Sequence, residues 1–506
     1  MKALIGTLAT LALGCKSGTP LHGNEKANQP KPGVQTPLSD AWWPKELFQQ
    51  PINTDIAGIT CFRGNPQRNY YGKGPMPKGN LQILWRRPVY GVPSGHWSGV
   101  GWTGQPLIVE WPEATKRWMN FYKQPGPKRE IICGALESQV HFIDAETGKE
   151  SRKPLKMPYP YPIKGTVSVD PRGFPLLYVG CGIDIGAVPG YRVFSLLNYK
   201  ELLVLPAKDK SAPRRWPGSD SNVLILKDHL FLPCENGIFY KAKLNAQWDS
   251  STGKLSVRPQ VQKFPMSKAG MESSMAVWDD FGYFADNGGT VRQVDLTDPR
   301  KTKSLIELGD DTDSTLVADS DGSLYVGIEK DKRTAPADKA AIIKFDSQTG
   351  KQIWKWSFEA GTIRGEHPVN GGVLSTGALW QKQPDGTGGT IFFTTSHHPR
   401  VGRGFLVALD TQTGHLRWKQ PLRAFAWSSP IVMDGSVFCA DSTGNAFLLD
   451  AITGRTLLVN ARGGPVQSLE LGANVESSPI VWDGKIYVGL RGGAVICIGQ
   501  APKGNR

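Results

Sequence analysis

The stretch "WSSPIVMDGSVFCADSTGNAFLLDAITGR" occupies residues 427–455, and "ESSPIVWDGKIYVGLRGGAVICIG", residues 476–499, matches it without gaps through its two hairpin turns. Each copy has an apolar run, an Asp-Gly pair, a second apolar run, a polar glycine turn and a third run. Asp-Gly between alternating apolar segments is a strong short-range hairpin signal. The fuller copy ends in Asp-x-x-Thr-Gly, a phrase that recurs at 144–148, 346–350 and 410–414, with a looser form in "WDSSTGKL" from Trp248. Trp354 and Trp418 follow two of these phrases. Aspartate can accept hydrogen bonds from the turn's N–H groups, and glycine supplies a positive φ, so the phrase specifies a turn and an outer-strand wedge.

Units begin near Trp97, Ile163, Ser219, Gly270, Asp311, Val369, Phe425 and Asn474. Four antiparallel strands per unit, spaced by roughly 40–60 residues, describe propeller blades. The sequence therefore predicts an all-β chain, an eight-bladed β-propeller of four-stranded antiparallel sheets, with seven blades as the alternative count. The last unit stops after its third strand. The segment "LQILWR", from Leu81 to Arg86, is expected to supply the missing fourth strand and close the ring, which removes two free sheet edges.

The repeated unit resembles the PQQ-like, quinoprotein-type β-propeller repeat, and the resemblance covers roughly 56–499. "TCFRGNPQRNYYGKGPMPKGNLQILW", from Thr60, resembles the lead-in segment of secreted members. The resemblance raises the prospect of a quinone-dependent dehydrogenase. Such enzymes hold the quinone under a disulfide of adjacent cysteines, with a calcium ion and a catalytic aspartate. This chain has no adjacent cysteines, no CxxCH for haem and no placeable calcium set, so neither a catalytic residue, a cofactor (PQQ included) nor a metal site is assigned.

Composition fits a folded chain rich in turns: 58 Gly, 38 Pro and 16 Trp among 506 residues. The net charge of +14 favours acidic partners, but no nucleic-acid-binding motif accompanies it. "MKALIGTLATLALGC" has Lys2, a short apolar run and Gly14-Cys15, resembling a bacterial lipoprotein signal. We expect residues 1–14 to be a signal peptide and Cys15 to be lipidated. Residues 15–55 read as a flexible tether, 56–500 as the propeller and 501–506 as a tail. Lys16 after Cys15 leans toward the outer membrane over the inner, with the protein facing the periplasm.

Other motifs carry little. "DSDGSLYVG" from Asp319 begins like a calcium loop but places Lys330 where the closing Glu belongs. His397-His398, adjacent on a strand, would point to opposite faces. Cys133, Cys181, Cys234 and Cys439 sit at equivalent blade positions, too far apart to pair.

Two surfaces remain. The inner strands open with "SDSN", "MESS", "DTDST", "AWSS" and "VESS", which puts Asp220, Glu272, Asp313, Trp427 and Glu476 near one mouth of the channel. A carboxylate ring could attract a cation or a basic segment, or simply be hydrated. On the same face, Lys330, Lys332, Arg333, Arg364, His367, Arg400 and Arg403 could form a basic patch for an anionic ligand. Signal, tether and repeat together resemble the lipoprotein propeller of the outer-membrane β-barrel assembly machinery. That resemblance implies a monomeric, non-catalytic scaffold binding envelope proteins. A quinoprotein dehydrogenase, or a polysaccharide-active or sensor propeller, is the alternative.

Overall fold

Each Asp-Gly or glycine turn reverses the chain every few residues, so most strands pair with their sequence neighbours. The computed structural model describes residues 40–89, 98–182, 189–331, 339–363 and 369–501. It contains eight four-stranded antiparallel sheets arranged as an eight-bladed propeller. Seven blades use consecutive strands, apart from an extra hairpin, Gln247–Asp249 with Lys254–Ser256, inserted before the outer strand of blade three. The eighth joins Ile480–Trp482, Lys485–Leu490 and Ala494–Gln500 to the early strand Leu81–Pro88, which pairs antiparallel with the last. The ring is therefore closed as the sequence predicts, and the count is eight.

The Asp-x-x-Thr-Gly phrase does what its chemistry suggests. Asp410 accepts N–H bonds from Gln412 and Thr413 and the hydroxyl of Thr413, all at 2.8–3.0 Å. The tryptophan of one blade then rests on the turn of the next. Trp85, Trp354 and Trp418 donate their indole N–H to Ala145, Thr411 and Ala451 carbonyls at 3.0, 3.0 and 3.2 Å. A Cβ on Gly148, Gly414 or Gly454 would lie within 2.8 Å of the indole packed there. Glycine is needed both for the positive φ and for this approach.

Nearer the axis, a belt of hydroxyls ties the inner strands. Asn222, Ser274, Thr315 and Thr376 donate their N–H to Ser274, Thr315, Thr376 and Ser429 hydroxyls at 2.8–3.2 Å. Ser478 N–H donates to the Gly104 carbonyl and completes the circle to blade one. The recurring "SS" at the inner-strand starts is this belt.

The lead-in segment fills the axis. Its strand Ala57–Ile59 pairs with Leu107–Glu110 of blade one, and Gly72–Lys73 runs parallel to Ile480–Trp482 of blade eight. Between them, backbone carbonyls of Thr60, Pro66 and Gln67 accept N–H bonds from Val169, Val277 and Ala318 of blades two, four and five. Phe62 N–H donates to Asn222 of blade three. The Arg63 guanidinium donates to Thr376 and Pro430 carbonyls of blades six and seven, both at 2.7 Å. Residues 57–73 thus bond to all eight blades. Residues 40–55, expected within the tether, also pack: Trp43 and Ile52 are buried, and Trp43 N–H donates to Asp279 O. The tether expectation was too long because two tryptophans and Ile52 carry enough apolar surface to dock.

Cys61, Cys133, Cys181, Cys234, Cys439 and Cys497 are buried and unpaired. Burial pushes the Cys133 thiol up to about 12, which keeps it an inert core group.

Arg63 is buried and donates to the Thr376 and Pro430 carbonyls at the starts of two inner strands. Arg63→Ala should lower stability by about 2–4 kcal/mol, measured by denaturant unfolding. Trp418→Ala should lose about 3–5 kcal/mol; a loss below roughly 1 kcal/mol would show that the wedge is dispensable.

Candidate functional site

With its floor plugged, the channel is a cup that opens on the face of the inner-strand starts. A cavity there is lined by Phe62, Trp102, Asp220, Glu272 and Asp313, with Thr166, Ser274 and Thr315 of the belt around it. It offers about 30 Å³ of free space, room for roughly one water molecule.

Three of the sequence-predicted mouth residues converge. Asp220 and Glu272 meet Glu235, and Asp313 meets Asp311 and Glu329, with one carboxylate oxygen of each residue within 4.8 Å of the others in its trio. Glu476 does not join them: it pairs with Arg491 at 2.6 Å in blade eight. Trp427 is buried beside Trp102, ring centres 5.3 Å apart, and donates to the Ser396 hydroxyl. Glu235 and Glu329 fall outside the inner-strand starts and stand at the ends of second strands. "PCENG" and "GIEKD" carried the signal.

Positive charge only partly offsets the trios. Lys164 donates to Asp220 at 2.6 Å, and Arg214 lies 3.8 Å from Glu272. Local bonds hold the carboxylates in place. Glu235 accepts Asp220 N–H, Glu272 accepts the Asn287 amide, and Glu329 accepts Asp313 N–H and the Asn370 amide. Burial, reinforced by neighbouring carboxylates, holds Glu235, Glu272, Asp313 and Glu329 above the usual carboxylate range. The same causes push Asp311 up to about 8. The carboxyls of the cup are thus harder to ionise than exposed ones.

The basic patch is less gathered. Lys332, Arg333, Arg364 and His367 lie outside the described residues, as does Cys15. Arg400 is exposed, Arg403 donates to the Arg423 carbonyl, and the Lys330 ammonium is buried without a hydrogen-bond partner. His397 Nδ1 accepts Gly402 N–H, whereas His398 Nδ1 contacts the Glu359 carbonyl. The two rings thus serve separate contacts.

The lead-in segment fills the axis, the remaining space is about 30 Å³, and the six described cysteines are all free.

Residues 338–501 match the family model described as "Outer membrane protein assembly factor BamB". No curated protein matches the chain. BamB from Moraxella catarrhalis is similar at 13% identity and a TM-score of 0.47, covering 78% of this chain and 98% of that one. A computationally designed protein, Ika8, gives 12% and 0.46, with 81% and 99% covered. A europium-containing methanol dehydrogenase gives 12% and 0.41, with 88% and 90% covered.

The raised carboxyls bind protons more tightly in the folded chain than in the unfolded one. Stability should therefore fall as pH rises from the ordinary carboxylate range to about 8. Asp313→Asn or Glu235→Gln should restore on the order of 1 kcal/mol at the alkaline end and flatten the Tm-against-pH curve. An unchanged slope in both variants would count against mutual repulsion.

Proposed function

We propose that the chain is a lipid-anchored, non-catalytic propeller that binds proteins or a ligand in the bacterial envelope, serving outer-membrane protein assembly. The match of 338–501 to the BamB family model carries this reading. The lipoprotein-like start, with Cys15 after an apolar run, supports the anchor. The plugged axis supports binding over quinone chemistry, since it converts the channel into a shallow acidic cup. Rigid blades with irregular loops on one face are a common basis for partner recognition.

Crosslinking the anchored protein in its own membrane, followed by affinity purification, should recover components that insert outer-membrane barrels. Cys15→Ala should move the protein to the soluble fraction and reduce that recovery. Recovery of no envelope protein, or wild-type protein already soluble, would reject the reading. Titration with the free quinone should give no dye-coupled oxidation.

A further inference from the structure

The cup already holds an ammonium group belonging to the chain. Lys164 Nζ donates to Asp220 at 2.6 Å and lies 5.5 Å from the ring centre of Trp102. A carboxylate on one side and an indole face on the other is a favourable setting for an alkylammonium ion. Further round the mouth, Asp311, Asp313 and Glu329 form a second trio, and no described basic side chain forms a salt bridge with it. Asp313 Oδ1 has no hydrogen-bond partner. Neither does Glu235 Oε2, on a side chain that is 0% exposed in the adjoining trio. Asp220, Glu272, Asp313 and Trp102 line one cavity, and Glu235, Asp311 and Glu329 stand behind that lining as the partners of these carboxylates.

We propose that the cup binds an external primary ammonium group, seated among Glu272, Asp313 and the carboxylates behind them, beside the Trp102 indole. This extends the binding role proposed above to a ligand chemistry, and it does not depend on the anchor. Size favours the group: about 30 Å³ suits a compact ammonium better than the larger planar guanidinium. Chemistry also selects it over a hard metal ion. Calcium requires about six to eight oxygens, whereas Phe62 and Trp102 contribute apolar walls here. Both Glu329 oxygens are already engaged by Asp313 N–H and the Asn370 amide. Three N–H donors on one nitrogen match a nest of spaced carboxylates.

Binding is coupled to protons. The charged and titratable groups facing the trio are Glu235, Glu272, Asp310 and Asp331, with Lys164 and Arg214 on the blade-three side and Lys330 following Glu329. Asp311, pushed up to about 8 by burial and these carboxylates, retains its proton at neutral pH. An entering ammonium favours the ionised form, so a proton leaves to buffer. An alkylammonium stays charged up to a pH of about 10, so affinity should rise about tenfold or more from about pH 6 to about pH 9.

Calorimetry on the full chain tests this with 1,5-diaminopentane, an acetylated and amidated tri-lysine peptide, and calcium chloride, in buffers of different ionisation enthalpy. Amine binding with proton release is expected, weakened about tenfold or more by either Asp313→Asn or Glu329→Gln. Circular dichroism should show both variants folded. Equal binding of diamine and peptide identifies a free ammonium as sufficient, and binding of the peptide alone assigns the site to a lysine of a protein partner. Calcium binding with neither amine bound, or unchanged affinity in both variants, overturns the proposal. Loss of partner capture from membranes with amine binding intact would reject the scaffold reading and leave this one standing.

Discussion

Hydrogen bonding between the lead-in segment and the inner strands is the constraint on which the rest depends. Inner strands of a propeller converge on an axis where their carbonyls and N–H groups face one another across a space too narrow for a second layer. Each unsatisfied group there would cost about 1–3 kcal/mol. Residues 57–73 answer that need with strand pairing at both ends, three carbonyl acceptors and two buried arginines. Burial lowers Arg63 and Arg68 to about 10, which leaves both guanidinium groups charged and able to bond carbonyls at neutral pH. The same segment supplies the closing strand, so plug and clasp are one piece of chain.

Plugging also determines what the axis can do. A through-channel would let water solvate the carboxylates from both sides, whereas a floor that includes Phe62 makes the cup shallow and its carboxyls costly to ionise. Among the described residues, the positive net charge of the chain is not gathered at the cup. The molecule is acidic at its centre although basic overall, a segregation that net charge alone does not reveal.

Much of the fold was legible because its determinants are local. Asp-Gly hairpins, the Thr-Gly turn and the Trp that follows it act within a few residues, and repetition makes them conspicuous. Even the eighth blade, built from both ends of the repeat, could be inferred from a missing strand. The candidate site was half legible. Asp220, Glu272 and Asp313 share an inner-strand position and could be aligned, as could Glu476. Yet Glu476 belongs with Arg491, and the cup is completed by Glu235, Asp311, Glu329, Lys164 and Trp102. Glu235 and Glu329 follow Asp220 and Asp313 by 15 and 16 residues, but Lys164 and Trp102 come from other strands and loops, and no spacing rule links those two to the carboxylates.

By itself, then, the sequence determined the blade and the way the ring closes, and it bounded the repeats at seven or eight, because turn chemistry and strand alternation act between near neighbours in the chain. Only the tertiary structure decided which carboxylates meet, how much space they enclose and that the axis is sealed beneath them. Those outcomes depend on distances between residues up to hundreds of positions apart, such as Arg63 and Pro430 at 2.7 Å. Burial, which sets the charge of Asp311 near neutral pH, exists only once the blades have closed around the lead-in segment.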